Sequence, residues 1–145
     1  MTIYTIGFTK KSAEEFFEAL RGSGAKNLLD IRLHNTSQLA GFTKRDDLCY
    51  LLKQIVDMEY HEVPILAPEG SFLSDYRKTG DWGKFEQVYL ELIRRRQVEN
   101  HIDVALFKEG AVLLCSEAEP NRCHRRLAAE YLARMALSGA YIQHL

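Results

Sequence analysis

The chain has 145 residues, of which 46% are hydrophobic, and this predicts a single domain over residues 1–145 with a real core. The formal net charge of −1 provides no global field to attract nucleic acid or an anionic membrane, so any anion must be bound locally. Three cysteines cannot form a closed disulfide framework, and no stretch approaches the ~20 apolar residues of a membrane helix, so we expect a cytoplasmic protein with free thiols.

Strand and helix patterns alternate through the first 63 residues. The start of the chain has no basic and apolar export leader, which agrees with a cytoplasmic location. Ser12 and Glu15 form a capping box, and Thr43 is placed to cap a later helix. The patterns predict a strand over 3–6, a helix after Ser12, a strand over 27–32, a polar loop over 33–42, a helix over 44–57 and a strand over 59–63.

The second half continues the same alternation after an irregular connection. Residues 64–83 contain two prolines and three glycines, which predicts a flexible, lid-like segment with at most a short helix. An apolar stripe predicts a helix from Phe85 that continues in broken form to Phe107. A strand over 111–115, a helix with Pro120 in its first turn and a strand over 141–145 follow. We therefore predict an α/β, three-layer domain, with a mainly parallel sheet of about five strands flanked by helices.

The turn between the strand at 111–115 and the next helix is the strongest candidate site. Cys115 ends the strand near a helix N-terminus and several cations, which favour a thiolate, although a buried structural thiol is the alternative. His124 is a candidate acid or base, and Glu117 is the candidate catalytic carboxylate. Arg125 could clamp an anion, or it could form an ion pair with Asp30 or Glu117.

Two other strand ends are expected to meet this turn. Asp30 and Arg32 end the second strand, and Gly7 and Thr9 follow the first. Because ligand crevices in open parallel sheets lie at the carboxyl ends of the strands, we expect these residues and Cys115 to converge on one substrate site. The other two thiols, Cys49 and Cys123, are predicted to lie in the core, Cys123 on the inward stripe of the last helix.

These candidate residues are compatible with three functions. The first is an enzyme acting on a small or nucleotide-like anionic substrate, with Cys115, Glu117 and His124 as reactive groups. The second is a metal site made by Cys115, Cys123 and His124. The third is a binding module, with nucleic acid as one candidate ligand, that uses the basic runs at 94–96 and 122–126. No particular cofactor is indicated.

Three motifs give the chain a family resemblance. They are Tyr4-Thr5-Ile6-Gly7-Phe8-Thr9, Leu29-Asp30-Ile31-Arg32 and Cys115-x-Glu117-x-x-Pro120-x-x-Cys123-His124-Arg125. The last is the most specific, since it fixes six residue types over eleven positions. The chain resembles the domain of unknown function 488 family over nearly its whole length, departing from the usual histidine at Phe8. The resemblance implies a cytoplasmic protein of bacteria or archaea with a compact α/β domain, and it implies no particular reaction.

Overall fold

The computed structural model describes residues 1–36 and 40–145, and within these ranges five strands form one parallel sheet. The strands are β1 (Thr2–Gly7), β2 (Asn27–Asp30), β3 (Glu59–Glu62), β4 (Ala111–Cys115) and β5 (Tyr141–His144), in the spatial order β3-β2-β4-β1-β5. The helices are α1 (Ala13–Ser23), α2 (Arg45–Leu51), α3 (Gly70–Thr79), α4 (Trp82–Arg95), α5 (Val104–Lys108) and α6 (His124–Met135). The predicted α/β fold is confirmed.

Helices cover both faces of the sheet because β4 is apolar at every position. Successive strand residues point to opposite faces, so Ala111 and Leu113 pack with α4 and α6, whereas Val112 and Leu114 pack with α1 and α2. All five residues of β4 are buried. The strand therefore lies at the centre of a three-layer domain, and its carboxyl end is held firmly by packing on both sides.

The lid-like interpretation of residues 64–83 is wrong, because most of this segment is helical. Helix α3 has ten residues, and Phe72 and Tyr76 on it pack against Phe85 of α4 with ring centroids 5.3 and 5.1 Å apart. The prolines precede the helix, and Gly80 ends it in a left-handed conformation with φ of 69°. The residues that suggested irregular structure are thus the boundaries of a packed helix.

Three local predictions also need correction. Helix α2 begins after Lys44 rather than at a Thr43 cap, and the Thr43 hydroxyl donates instead to the carbonyl of Ala40. Helix α6 begins at His124, so Pro120 lies in the preceding turn and Cys123 is the N-cap. Cys49 is exposed because it follows the buried Leu48 by one residue, which turns it about 100° around the helix.

The predicted loop at 33–42 lies partly outside the described residues, since residues 37–39 are not described. Across the two described ranges, every helix is too short or too polar to cross a membrane.

Candidate functional site

The ends of β1, β2 and β4 converge as predicted. Gly7 pairs with Cys115 and Asp30 pairs with Leu114, so the carboxyl ends of three neighbouring strands lie at one edge of the sheet. Helix α6 begins just beyond this edge. The three segments singled out in the sequence therefore form a single region, at the place where parallel sheets build ligand sites.

Cys115 and His124 form a hydrogen-bonded pair at the centre of this region. The Cys115 sulfur lies 3.4 Å from Nδ1 of His124, and Nε2 of His124 lies 2.8 Å from the carbonyl oxygen of Ile31. A carbonyl can only accept, so Nε2 carries a proton and Nδ1 faces the thiol as an acceptor. Tyr89 packs edge-on against the imidazole, with ring centroids 5.4 Å apart. The arrangement is a nucleophile, a base and a group that orients the base.

The two buried thiols have opposite pKa shifts. Burial raises the pKa of Cys115, but the hydrogen bond from Cys123, the charge of Arg125 and the backbone N–H groups of Glu117 and Ser116 outweigh it, so the pKa of Cys115 lies below its ordinary value. Burial and the same hydrogen bond raise the pKa of Cys123 well above its ordinary value. Of the two thiols, Cys115 therefore ionises more readily, and the Cys123 S–H donates to its sulfur.

The same side chains have a donor set that a metal ion could use. One ligand atom from each of Cys115, Cys123 and His124 lies within 4.8 Å of the other two, and all three residues are buried. Two sulfurs and one nitrogen suit Zn²⁺ with an open fourth position. In metal-binding histidines, the ring nitrogen that does not bind the metal commonly donates a hydrogen bond to a carbonyl or carboxylate. Nε2 of His124 makes such a bond to the Ile31 carbonyl.

Asp30 and Arg32 form a buried, two-pronged ion pair. Nε and Nη2 of Arg32 donate to the two Asp30 oxygens at 2.8 Å each, and Nη2 also donates to the Thr43 carbonyl at 2.8 Å. The Tyr60 hydroxyl donates to Asp30 at 2.5 Å, and its pKa is raised by burial and by this carboxylate. Asp30 thus holds Arg32 in place, and Arg32 in turn lines the crevice that also contains Cys115.

Gly7, Thr9 and Arg125 hold the loop between β4 and α6. The Thr9 N–H and hydroxyl donate to the Ser116 carbonyl at 3.0 and 2.6 Å. The Arg125 side chain is fully buried and donates to the carbonyls of Glu117 and Ala118 rather than to the Asp30 or Glu117 carboxylates. Gly7 lies directly beneath this loop. All three residues therefore support the loop whose backbone N–H groups donate to the Cys115 sulfur.

A narrow crevice leads from solvent to the two thiols. Its cavity volume is about 60 Å³, and charged side chains at its mouth include the exposed Glu117 and Arg122. A larger cavity of about 800 Å³ adjoins it and shares four lining residues with it, His34, Arg77, Ser116 and Glu117. The sequence prediction missed the wall made by α3 and the start of α4, which consists of Leu73, Tyr76, Arg77, Trp82 and Phe85. The apolar spacing of Phe72, Leu73 and Tyr76 was the available signal.

Comparison with known proteins identifies one relationship. A family model described as "Domain of unknown function DUF488" matches residues 12–132. This range includes the Asp30 and Cys115 motifs and excludes the segment around Gly7. Neither the curated proteins nor the solved structures contain a match to the chain.

Proposed function

The chain belongs to the DUF488 family, and since that description assigns no reaction, we propose from the site itself that the protein is a cysteine-dependent enzyme acting on a small anionic substrate. The observation that carries the proposal is the hydrogen-bonded series from Cys115 through His124 to the Ile31 carbonyl. We also place the enzyme in the cytoplasm, where free thiols persist.

In the proposed reaction, the Cys115 sulfur attacks an electrophilic atom of the substrate. His124 accepts the thiol proton at Nδ1, while its Nε2–H stays on the Ile31 carbonyl and keeps the ring in the reactive orientation. The backbone N–H groups of Ser116 and Glu117 stabilise negative charge on sulfur before attack. Cys123 supports the thiolate through its S–H donor and stays protonated itself.

Cations around the crevice supply the preference for an anion. Arg77 and Arg122 are exposed at its mouth, and Arg32 forms a fixed part of its wall. Glu117 is the one carboxylate among the crevice-lining residues of the described chain, and we assign it proton transfer to the leaving group or to attacking water. A head of a few atoms fits the 60 Å³ crevice, and the rest of a larger substrate extends into the 800 Å³ cavity.

Alkylation with two reagents of similar size tests both parts of the proposal. Iodoacetate carries a negative charge and iodoacetamide is neutral, so a cationic crevice around an activated thiol favours iodoacetate. We expect Cys115 to react faster than Cys49 with both reagents near neutral pH, and to prefer iodoacetate more strongly than Cys49 does. Mass-spectrometric peptide mapping measures the modification rates of all three thiols in one experiment.

Matched variants separate thiol activation from anion attraction. Arg122→Gln should lower only the iodoacetate preference of Cys115, whereas Lys108→Gln, which removes the same charge at another surface, should change neither rate. His124→Gln should slow both reagents, and the exposed His101→Gln should slow neither. Equal, slow labelling of Cys115 and Cys49 by both reagents would refute the proposed function.

A metal centre is the second candidate, and the 4.8 Å grouping of the three ligand atoms favours it. In that case Cys115, Cys123 and His124 would hold Zn²⁺, which would activate a bound water or polarise the substrate. Elemental analysis of protein purified without chelators distinguishes the metal centre from the thiol enzyme. About one zinc per chain, with alkylation of Cys115 only after chelation, supports the metal centre, and metal-free protein with a reactive Cys115 supports the thiol enzyme.

A further inference from the structure

Cys115 and Cys123 share a small cavity as well as a hydrogen bond. Their sulfur atoms lie within 4.8 Å of each other, and both residues line the crevice of about 60 Å³. A disulfide bond is about 2.05 Å long, so closing one requires the sulfurs to approach by less than about 3 Å. An approach of this size would come from rotation about the two Cα–Cβ bonds together with a small movement of the 116–122 loop.

We propose that Cys115 and Cys123 form a reversible disulfide when the protein meets hydrogen peroxide, and that this bond switches the site off. The inference rests on the proposed function in one respect, namely that Cys115 is the reactive thiol. It adds a second role for Cys123, which reacts with the oxidised form of Cys115. The third thiol, Cys49, is exposed and has no thiol partner in the described part of the chain, so it provides an internal comparison.

The chemistry balances with hydrogen peroxide as the only oxidant. The Cys115 sulfur attacks one peroxide oxygen, the O–O bond breaks, and the departing oxygen takes the thiol proton through His124 and leaves as water. Cys115 is now a sulfenic acid. The Cys123 sulfur attacks the Cys115 sulfur, the S–O bond breaks, and the departing hydroxide takes the Cys123 thiol proton and leaves as a second water. Two thiols have lost two electrons in total, and one peroxide has gained them.

Cavity size determines which oxidant reaches the pair. Hydrogen peroxide has two heavy atoms, and a cavity of about 60 Å³ holds a few molecules of water size. The ring of an aromatic hydroperoxide does not fit this crevice, since an engineered cavity that binds benzene has a volume of about 150 Å³, so its oxygens reach the sulfur only with the ring held outside, in the adjoining 800 Å³ cavity. Exposed Cys49 meets no such restriction. The pair should therefore select the small peroxide, and Cys49 should discriminate less between the two oxidants.

The test is oxidation of the reduced full chain with one equivalent of hydrogen peroxide or of cumene hydroperoxide, followed by peptide mapping without reduction. We expect hydrogen peroxide to produce a peptide linked through Cys115 and Cys123, with Cys49 still free, and cumene hydroperoxide to produce far less of it. Iodoacetate labelling of Cys115 should disappear with the linkage and return after dithiothreitol. In Cys123→Ser, Cys115 should gain one oxygen atom instead, and Cys49→Ser should behave as the parent.

The outcomes distinguish this inference from the proposed function. Rapid, iodoacetate-preferring alkylation of Cys115 without any linked peptide after peroxide overturns the disulfide and leaves the proposed function standing. A linked peptide in a protein whose Cys115 alkylates no faster than Cys49 supports the disulfide and refutes the proposed function. Preferential oxidation of Cys49, or disulfides between separate chains, also overturns the inference.

Discussion

Replacing Gly7 by alanine should displace the loop that supports the Cys115 thiolate. An ideal Cβ at Gly7 lies 1.6 Å from the Glu117 carbonyl oxygen, 2.5 Å from Nη1 of Arg125 and 2.7 Å from the Glu117 carbonyl carbon. Real Cβ atoms do not approach heavy atoms more closely than 3.0 Å, so the loop must retreat by more than 1 Å. The obstructing atoms belong chiefly to backbone, which cannot rotate away as a flexible side chain can.

The expected loss of stability follows from two contributions. Overpacking of this kind costs about 1–3 kcal/mol, and breaking the hydrogen bond between charged Arg125 and the Glu117 carbonyl costs about 1.5–3 kcal/mol. Together they predict a loss of roughly 2.5–6 kcal/mol in the free energy of unfolding. For a chain of this length, that loss lowers the Tm by roughly 10–20 °C. Alkylation of Cys115 should slow as well, because the loop that supplies the N–H groups of Ser116 and Glu117 moves.

The test measures the Tm by calorimetry and the rate of Cys115 alkylation by peptide mapping. Both are measured for Gly7→Ala, with Gly22→Ala as the control. Gly22 lies in α1, and no atom lies within 4 Å of a Cβ built there, so alanine should raise stability by about 0.5–1 kcal/mol. A Gly7→Ala protein that melts within a few degrees of the parent and keeps a fast Cys115 would refute this account of the loop. Unchanged stability with loss of anion binding would instead identify Gly7 as a ligand contact.

Three further substitutions test the buried polar network. Arg125→Gln should lose about 2–3 kcal/mol of stability in urea unfolding without any ligand, and an unchanged unfolding midpoint would contradict this. The same variant should slow Cys115 alkylation near neutral pH, because a nearby positive charge is removed. Asp30→Asn should lose about 3–5 kcal/mol, since it leaves Arg32 buried without its carboxylate. Tyr60→Phe should lose only about 1–2 kcal/mol, and equal losses for these two variants would contradict the assigned network.

Much of the fold could be predicted because its strongest determinants are local. The continuous apolar run of β4 and the capping box of Ser12 and Glu15 indicate their elements directly, and the structure contains both. Part of the candidate site could also be predicted from the sequence. Cys115 ends one element and His124 begins the next, so the strand-to-helix turn brings them together whatever the details of the loop.

The remaining features depend on tertiary contacts that leave little mark in the sequence. Helix α3 is stabilised by packing of Phe72 and Tyr76 on α4, which outweighs the prolines and glycines around it. The group that orients His124 is the backbone carbonyl of Ile31, and a backbone partner has no residue type to recognise. Arg125, in α6, likewise donates to carbonyls of the loop that precedes the helix, whereas residue chemistry alone suggested an anion or a carboxylate.

The pH dependence of Cys115 alkylation tests the central claim most directly. Only the thiolate reacts, so the rate rises with pH until the thiol is fully ionised, and a lowered pKa moves the half-maximal rate to lower pH. Rates of iodoacetamide modification should be mapped by mass spectrometry for Cys115 and Cys49 in the same samples between about pH 5 and pH 10. We expect Cys115 to reach half its maximal rate at a lower pH than an ordinary exposed thiol does, with Cys49 as the thiol measured beside it. A Cys115 profile that coincides with that of Cys49, or lies above it, would contradict the account.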